Sequence, residues 1–366
     1  MIRVAHFVWS LDFGGIERLV LDLAQEQMKN KELQCSIVVG KGGGRMFNQL
    51  EDSGIPYAVA NLKGGDDITK TAIFRVRNIF RDFDIIHFHS FNVPAGFASI
   101  FSRKRIVYTE HGNFGFGRKK TPADAVNQTL LKIFLNRYVS CVTFNSEFTG
   151  EVARKRYVLS KVKQQVVYNG MHPNPASIPS PAGTLEALKG KFVVGTSSRF
   201  AGFKRIDRLI NAFGKFAAGK EDVELVLVGD GPLKSEFELL AQKNNIAQQT
   251  VFTGFSDNPR AYQQAMNVCV FPSEKEPFGI AALETLSLGK PTLAMKDGGG
   301  ILEILRDVEP ADIVEDEGAL AQRLEHYYLA RGQEDPVVKK RMEVAGRFSI
   351  ERMEKDFYSI YKEVLS

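Results

Sequence analysis

Short apolar runs alternate with amphipathic stretches along most of the chain. In the first half, 3–9, 34–40, 84–90, 105–109 and 141–146 are the near-continuous apolar runs that a parallel strand needs when both its faces are covered. Between them, 17–29 and 71–81 carry the apolar recurrence of helices. A Pro-, Ser- and Gly-rich stretch at 173–183 interrupts the alternation, which restarts with strand-like runs at 191–197, 223–229, 250–254, 267–271 and 291–295. Strands alternating with helices predict doubly wound parallel sheets. The expectation is therefore α/β, with two Rossmann-like domains at 1–172 and 184–349, a linker at 173–183, and an amphipathic helix at 350–366. Open sheets of this kind take ligands at the carboxyl ends of their strands.

Length and composition agree with that division. A chain of 366 residues is long for one α/β domain. Hydrophobic residues make up 44% and mean hydropathy is −0.16, as in a soluble globular protein. No apolar run approaches the roughly 18 residues of a spanning helix. The apolar opening at 1–13 is broken by His6 and Ser10 with no small-residue cleavage site after it, so a cytoplasmic protein without a signal peptide is expected. Cys35, Cys141 and Cys269 each lie in a strand-like run, which predicts buried reduced thiols. Charge is uneven: residues 1–172 hold 24 Lys+Arg against 15 Asp+Glu, and the remainder 24 against 28. Only the first half is expected to meet an anionic partner.

The most informative stretch is Ser273-Glu274-Lys275-Glu276-Pro277-Phe278-Gly279-Ile280-Ala281-Ala282-Leu283-Glu284. The run 267–271 reads as a strand, Pro272 stops it, and 278–288 reads as a helix. Eight residues on one helix turn about 80°, so Glu276 belongs to the loop and Glu284 to the helix. Between them the amides of Phe278, Gly279 and Ile280 stand at a helix start, where phosphate is favoured. Hydroxyls at both ends and phosphate in the middle is the layout of a nucleotide sugar. Arg199 and Lys204, in Ser198-Arg199-Phe200-Ala201-Gly202-Phe203-Lys204-Arg205, follow another strand and offer a planar fork and a compact charge to a leaving group that gains negative charge.

Other motifs are weaker. Phe13-Gly14-Gly15-Ile16-Glu17-Arg18 is a glycine turn entering a helix, without the full spacing of a dinucleotide fingerprint. Lys41-Gly42-Gly43-Gly44 lacks the ending of a P-loop and reads as a mobile loop. His111 stands at a strand end, while His87 and His89 alternate along one strand and face one side. No carboxylate or cysteine at metal spacing accompanies these histidines, and no metal is expected. Asp82-Phe83-Asp84 closes a helix and enters a strand, so it reads as capping.

The chain resembles the retaining glycosyltransferases of family 4, whose GT-B fold sets two Rossmann-like domains across a cleft. The resemblance rests on the E-P-F-G turn with its second glutamate, the R-x(4)-K element at Arg199 and Lys204, the G-G-x-E element at Gly14 and Gly15, and His111. It implies that Glu276 bonds donor-sugar hydroxyls, that the amides of Phe278, Gly279 and Ile280 hold sugar and phosphate, and that Glu284 bonds the ribose. Arg199 and Lys204 would clamp the diphosphate, His111 would lie beside the donor sugar, and Gly254 and Phe255 would border the nucleobase. Gly298-Gly299-Gly300 with Glu303 resembles the glycine stretch beyond the donor site. The chain's last helix would cross back onto the first domain. One departure is Asn169-Gly170-Met171-His172, where the family often has N-G-x-D; no role passes to His172.

The resulting expectation is a retaining glycosyltransferase moving a hexose-type unit from a nucleoside diphosphate sugar, a UDP-sugar favoured, to a glycan or lipid-linked acceptor in surface polysaccharide or glycoconjugate synthesis. It needs no cofactor. Without a nucleophile signature in the first half, front-face internal return is the expected mechanism. The basic clusters Arg103-Lys104-Arg105, Arg118-Lys119-Lys120 and Arg154-Lys155-Arg156, with Lys161, Lys163, Phe114 and Phe116, suggest peripheral association with the inner face of the cytoplasmic membrane. The rivals are a sugar-nucleotide epimerase, a glycan phosphorylase, for which no pyridoxal phosphate lysine motif is found, a silent GT-B scaffold, and a basic binding protein. Nucleic acid is not expected, since no recognisable module accompanies the charge.

Overall fold

The computed structural model describes residues 1–12, 14–64, 67–112, 114, 121–172 and 188–366. Phe13, Phe116, Arg118, Lys119, Lys120 and the linker at 173–183 lie outside the described residues. The chain divides into two compact units, the first formed by Met1–Met171 and Phe348–Ser366 and the second by His172–Arg347.

In the first unit seven parallel strands run in chain order β1 (Ile2–Val8), β2 (Leu33–Val39), β3 (Tyr57–Val59), β4 (Ile85–Phe88), β5 (Arg105–Glu110), β6 (Cys141–Phe144) and β7 (Lys163–Val166). Their spatial order is β3-β2-β1-β4-β5-β6-β7, so the winding reverses between β1 and β4. The second unit repeats the scheme with β8 (Phe192–Ser197), β9 (Val223–Val228), β10 (Thr250–Gly254), β11 (Val268–Phe271), β12 (Thr292–Met295) and β13 (Ile313–Val314). Its order is β10-β9-β8-β11-β12-β13, with the reversal between β8 and β11. Both sheets are doubly wound α/β sheets.

Central strands are apolar because helices cover both faces. Val4, Ala5, Phe7, Ile86, Phe88 and Val142 in the first unit, and Val194, Leu225, Val268 and Leu293 in the second, are essentially fully buried. Helix starts are fixed by side-chain caps: Thr69, Asn92, Ser146, Asp316 and Ser349 each accept from a backbone N–H three residues on. The helix at Gly15–Gln27 begins two residues earlier than periodicity suggests, and Lys70–Phe80 one residue earlier.

Two expectations are corrected. Asp84 does not cap a helix; it accepts from the Arg3 backbone N–H at 2.9 Å and from Arg3 Nη2 at 2.9 Å, tying the start of β4 to β1. The glycine stretch 42–44 is not a free loop at its far end, because Gly44 lies against the backbone of Leu11 and Met46 N–H donates to the Leu11 carbonyl at 3.0 Å.

The helix Ile350–Leu365 belongs to the first unit although the whole second unit precedes it in sequence. It lies near helix Gly15–Gln27 and is pinned by polar contacts: Asn30 Nδ2 donates to Glu354 Oε1 at 2.9 Å, and Arg352 Nη2 donates to the Tyr168 carbonyl at 2.6 Å. Gly170 permits the approach, since a Cβ there would stand 2.5 Å from the Ser349 carbonyl oxygen.

Candidate active site

In the second unit the loops after β8, β11 and β12 converge. Lys204 comes from the short turn Gly202–Lys204 after β8, and Glu276 from the loop after β11. Their side chains meet, Lys204 Nζ donating to Glu276 Oε2 at 2.7 Å, with 19% and 11% of the side chains exposed. Lys204 Nζ also stands 5.0 Å from the Phe203 ring centroid.

Backbone bonds fix the glutamate's loop. Glu276 N–H donates to the Gly298 carbonyl and Gly300 N–H to the Glu276 carbonyl, both at 2.7 Å, while Glu274 N–H donates to the Phe203 carbonyl at 2.8 Å. Arg208 binds Asp297 through two bonds of 2.8 Å, which hold that carboxyl below its usual range. Arg205 pairs with Asp207 and reaches Glu274 at 3.6 Å. Arg199 is exposed and has no side-chain partner among the described residues.

Gly279 sets where the next helix begins. Its φ is +100°, and a Cβ would lie 2.9 Å from Ile301 Cγ1, so the site takes glycine and no other residue without strain. The helix consequently runs Ile280–Ser287 rather than from 278. Its first amides lack a carbonyl one turn back inside the helix. Glu284 accepts from Gln263 Nε2 at 3.2 Å, and the same Nε2 donates to Ser197 Oγ at 2.6 Å. Gln263 is fully buried, and its Oε1 has no partner among the described residues. Arg260, whose pKa burial lowers while Glu284 opposes the shift, donates to Ser287 Oγ at 2.9 Å. Ser197, Arg260 and Gln263 escaped the sequence reading; the only signal was a polar Gln263 on the buried face of a short helix. Gly254 ends β10 with φ +71° and open space beside its α-carbon, and Phe255 next to it is 38% exposed.

In the first unit the strand ends carry histidines. His111 follows β5 and is 6% exposed. Its Nε2 lies 3.1 Å from His89 Nδ1, His89 Nε2 lies 2.9 Å from His6 Nδ1, and His6 Nε2 lies 2.7 Å from Gln27 Oε1. His87 stands between the Tyr361 hydroxyl and Thr109 Oγ1, each at 2.7 Å. The trio whose ring nitrogens converge is His6, His87 and His89, rather than His87, His89 and His111. Burial lowers all four pKa values, those of His6 and His111 to about 4, so the rings are neutral. Asn145, beyond β6, donates through Nδ2 to the His111 carbonyl at 3.3 Å. Gly14 caps helix Gly15–Gln27, and the Glu17 carboxylate, whose pKa burial raises, folds over it; Gly15 is exposed.

The sequence clusters of cations fare differently. Arg103 and Arg105 are exposed. Arg154 is bonded to Gln164 at 3.1 Å, Arg156 to the Phe114 carbonyl at 2.8 Å, and Lys163 to Glu363, so only Lys155 of the third triplet stands exposed. Among the described residues no helix is long and apolar enough to cross a membrane.

Comparison with known proteins accounts for both halves. Residues 13–174 match the family described as Glycosyltransferase Family 4, and 184–339 match Glycosyl transferases group 1. The chain is 32% identical over 158 residues to the uncharacterized glycosyltransferase YqgM of Bacillus subtilis, a match covering 41% of this chain but only 44% of that relative. It is 23% identical over 325 residues, 86% of each chain, to the N-acetylgalactosamine-N,N'-diacetylbacillosaminyl-diphospho-undecaprenol 4-alpha-N-acetylgalactosaminyltransferase of Campylobacter jejuni. Among solved structures, Anabaena HepE in complex with UDP and glucose superposes with a TM-score of 0.80 at 20% identity, covering 99% of this chain and 100% of that one. With both family models matched in order and the fold shared along the whole chain, the protein belongs to the family 4, group 1 glycosyltransferases of GT-B fold.

Proposed function

We propose that the chain transfers a hexose-type sugar from a nucleoside diphosphate sugar, UDP-sugar favoured, to a glycan or lipid-linked acceptor, with retention of anomeric configuration. The observation that carries the reading is the Lys204–Glu276 pair at the reversal between β8 and β11. Such reversals are where open α/β sheets bind ligands. An ammonium and a carboxylate held 2.7 Å apart supply the two opposite chemistries that the donor needs. On binding, Lys204 exchanges its carboxylate partner for the diphosphate and Glu276 turns to sugar hydroxyls. The amides of Phe278, Gly279 and Ile280 face the phosphate, Glu284 with Gln263 takes the ribose, and Gly254 and Phe255 border the base. Arg199, already exposed, swings in to the diphosphate.

In this mechanism the departing phosphate takes the acceptor's proton on the same face, while the cations stabilise the charge that develops. His111 positions the donor sugar. Neither metal nor cofactor is invoked. UDP is favoured because HepE is seen with it, and a lipid-linked acceptor because the Campylobacter relative's name specifies one. Association with an anionic membrane is part of the proposal: Phe97 and Phe101, 41% and 58% exposed on one helix, lead directly into Arg103, Lys104 and Arg105.

Thermal-shift screening against UDP-, GDP- and ADP-sugars, followed by product NMR, tests the reading. The expected product keeps the donor's anomeric configuration, and EDTA leaves the rate unchanged. An inverted product overturns the mechanism, and failure of every nucleotide sugar to bind overturns the function.

A further inference from the structure

We propose that Gln27, acting through His6 and His89, fixes the tautomer of His111 with its proton on Nε2, leaving Nδ1 as a bare acceptor that, with Asn145 Oδ1, selects ligand hydroxyl donors.

The argument follows protons along the buried chain. A neutral imidazole has one N–H donor and one lone-pair acceptor. Gln27 Oε1 can only accept: the Cys35 thiol donates to it at 3.1 Å, and His6 Nε2, 2.7 Å away, must therefore carry a hydrogen. His6 Nδ1 is then a lone pair, which requires the hydrogen on His89 Nε2 at 2.9 Å. His89 Nδ1 in turn is a lone pair, which requires the hydrogen on His111 Nε2 at 3.1 Å. His111 Nδ1 is left without a hydrogen, and it is buried with no partner among the described residues.

The other side of Gln27 runs in the same sense. Its Nε2 donates to the Tyr361 hydroxyl at 3.5 Å, Tyr361 donates to His87 Nδ1, His87 Nε2 donates to Thr109 Oγ1, and Thr109 donates to Thr143 Oγ1, the last three bonds each 2.7 Å. Turning the Gln27 amide over would reverse every proton in both branches. The Cys35 thiol, a donor aimed at Oε1, selects the orientation described.

Asn145 adds the second acceptor. Its Nδ2 donates to the His111 carbonyl, so Oδ1 is an acceptor, 3% exposed as a residue and without a partner among the described residues. Each of these buried acceptors is met by a hydroxyl, which donates, and not by a phosphate oxygen, which does not. Gln27, His6 and His89 are thus positioning residues. Gln27 does not titrate, so the relay sets an orientation and moves no net proton.

The identification of the hydroxyls as those of a sugar rests on the proposed function; the tautomer does not. Nitrogen-15 NMR of histidine-labelled protein at pH 7.5, without ligand, should show His6, His89 and His111 all as Nε2–H tautomers. Finding His111 as Nδ1–H, or doubly protonated, overturns the relay whether or not the protein is a transferase. Gln27→Met should leave His111 as a mixture of tautomers, whereas Cys35→Ser, which keeps a donor on Oε1, should preserve the single form. If Gln27→Met does not fold, the unaltered protein and Cys35→Ser still decide the matter. A deoxy-sugar nucleotide series reads the ligand half: one deoxy analogue should lose about tenfold in kcat/KM with the unaltered protein and under about threefold with Gln27→Met. Equal losses in both proteins overturn the selection of hydroxyls while leaving the tautomer result standing.

Discussion

Lowering the pH from 7.5 to 5 should loosen the first unit while sparing the second. Four neutral imidazoles are packed together there, and burial holds His6 and His111 at about 4 and pushes His87 and His89 down as well. An unfolded histidine takes up its proton near pH 6.5. Between that value and about 4 the unfolded chain binds protons that the folded chain refuses, so stability is full above pH 6.5 and falls as pH drops. For a shift from 6.5 to about 4, linkage gives a loss of about 2 kcal/mol per group at pH 5. His6 and His111 together then cost about 4 kcal/mol, against the roughly 5–15 kcal/mol that holds a domain folded. Asp84 and Asp297, held low by Arg3 and Arg208, lose their partners only at more acid pH. Glu17, raised by burial, works weakly in the opposite direction. Of the second unit's histidines, His172 is half-buried and His326 exposed. Denaturant titrations read by hydrogen exchange, comparing peptides from β1, β4 and β5 with peptides from β8 and β9, would separate the units. A first-unit shift under about 1 kcal/mol, or an equal shift in both, would refute the assignment of the acid sensitivity to these histidines.

Three further outcomes are expected. Glu276→Gln and Lys204→Met should each lower turnover about 100-fold, the typical effect of losing one preorganised charge contact, with both proteins folded by circular dichroism; near-normal transfer removes the pair from the mechanism. Gly279→Ala should cost about 1–3 kcal/mol, because an alanine is strained at φ +100° and its Cβ presses on Ile301; an unchanged urea midpoint for the second unit would show that the loop yields freely. Replacing Arg103, Lys104 and Arg105 with Gln should weaken co-sedimentation with anionic liposomes at low salt, at about 1 kcal/mol per cation; unaltered binding points to another face.

The two sheets were legible because buried parallel strands read as apolar runs, and the runs at 3–9 and 267–271 lie over β1 and β11. The edges were not. β3 has only three residues, β7 reads Lys-Gln-Gln-Val, and β13 has two, so none carries a buried apolar run. Glu276 and Lys204 could be named in advance because strand ends in such folds converge. His6 could not be joined to His89, since their adjacency arises from the pairing of β1 with β4 far along the chain. The triplet Arg154-Lys155-Arg156 looked like a surface charge until Arg154 and Arg156 proved to be bonded to Gln164 and Phe114. Sequence reports charge, not whether a partner has already claimed it.

The placement of helix Ile350–Leu365 in the first unit has a consequence for synthesis. On the ribosome, residues 1–171 emerge first but must wait for the whole of the second unit before Tyr361 can reach Gln27 and His87. At about 5–20 residues per second that interval is roughly ten to forty seconds. Throughout it the surface that Phe357, Ile360 and Tyr361 later cover is open to water and to other chains. The second unit, contiguous in sequence, can close as soon as it is made. The domain begun first is therefore the one completed last, and a nascent chain stalled or cut before residue 348 would release a folded second unit attached to an unfinished first one.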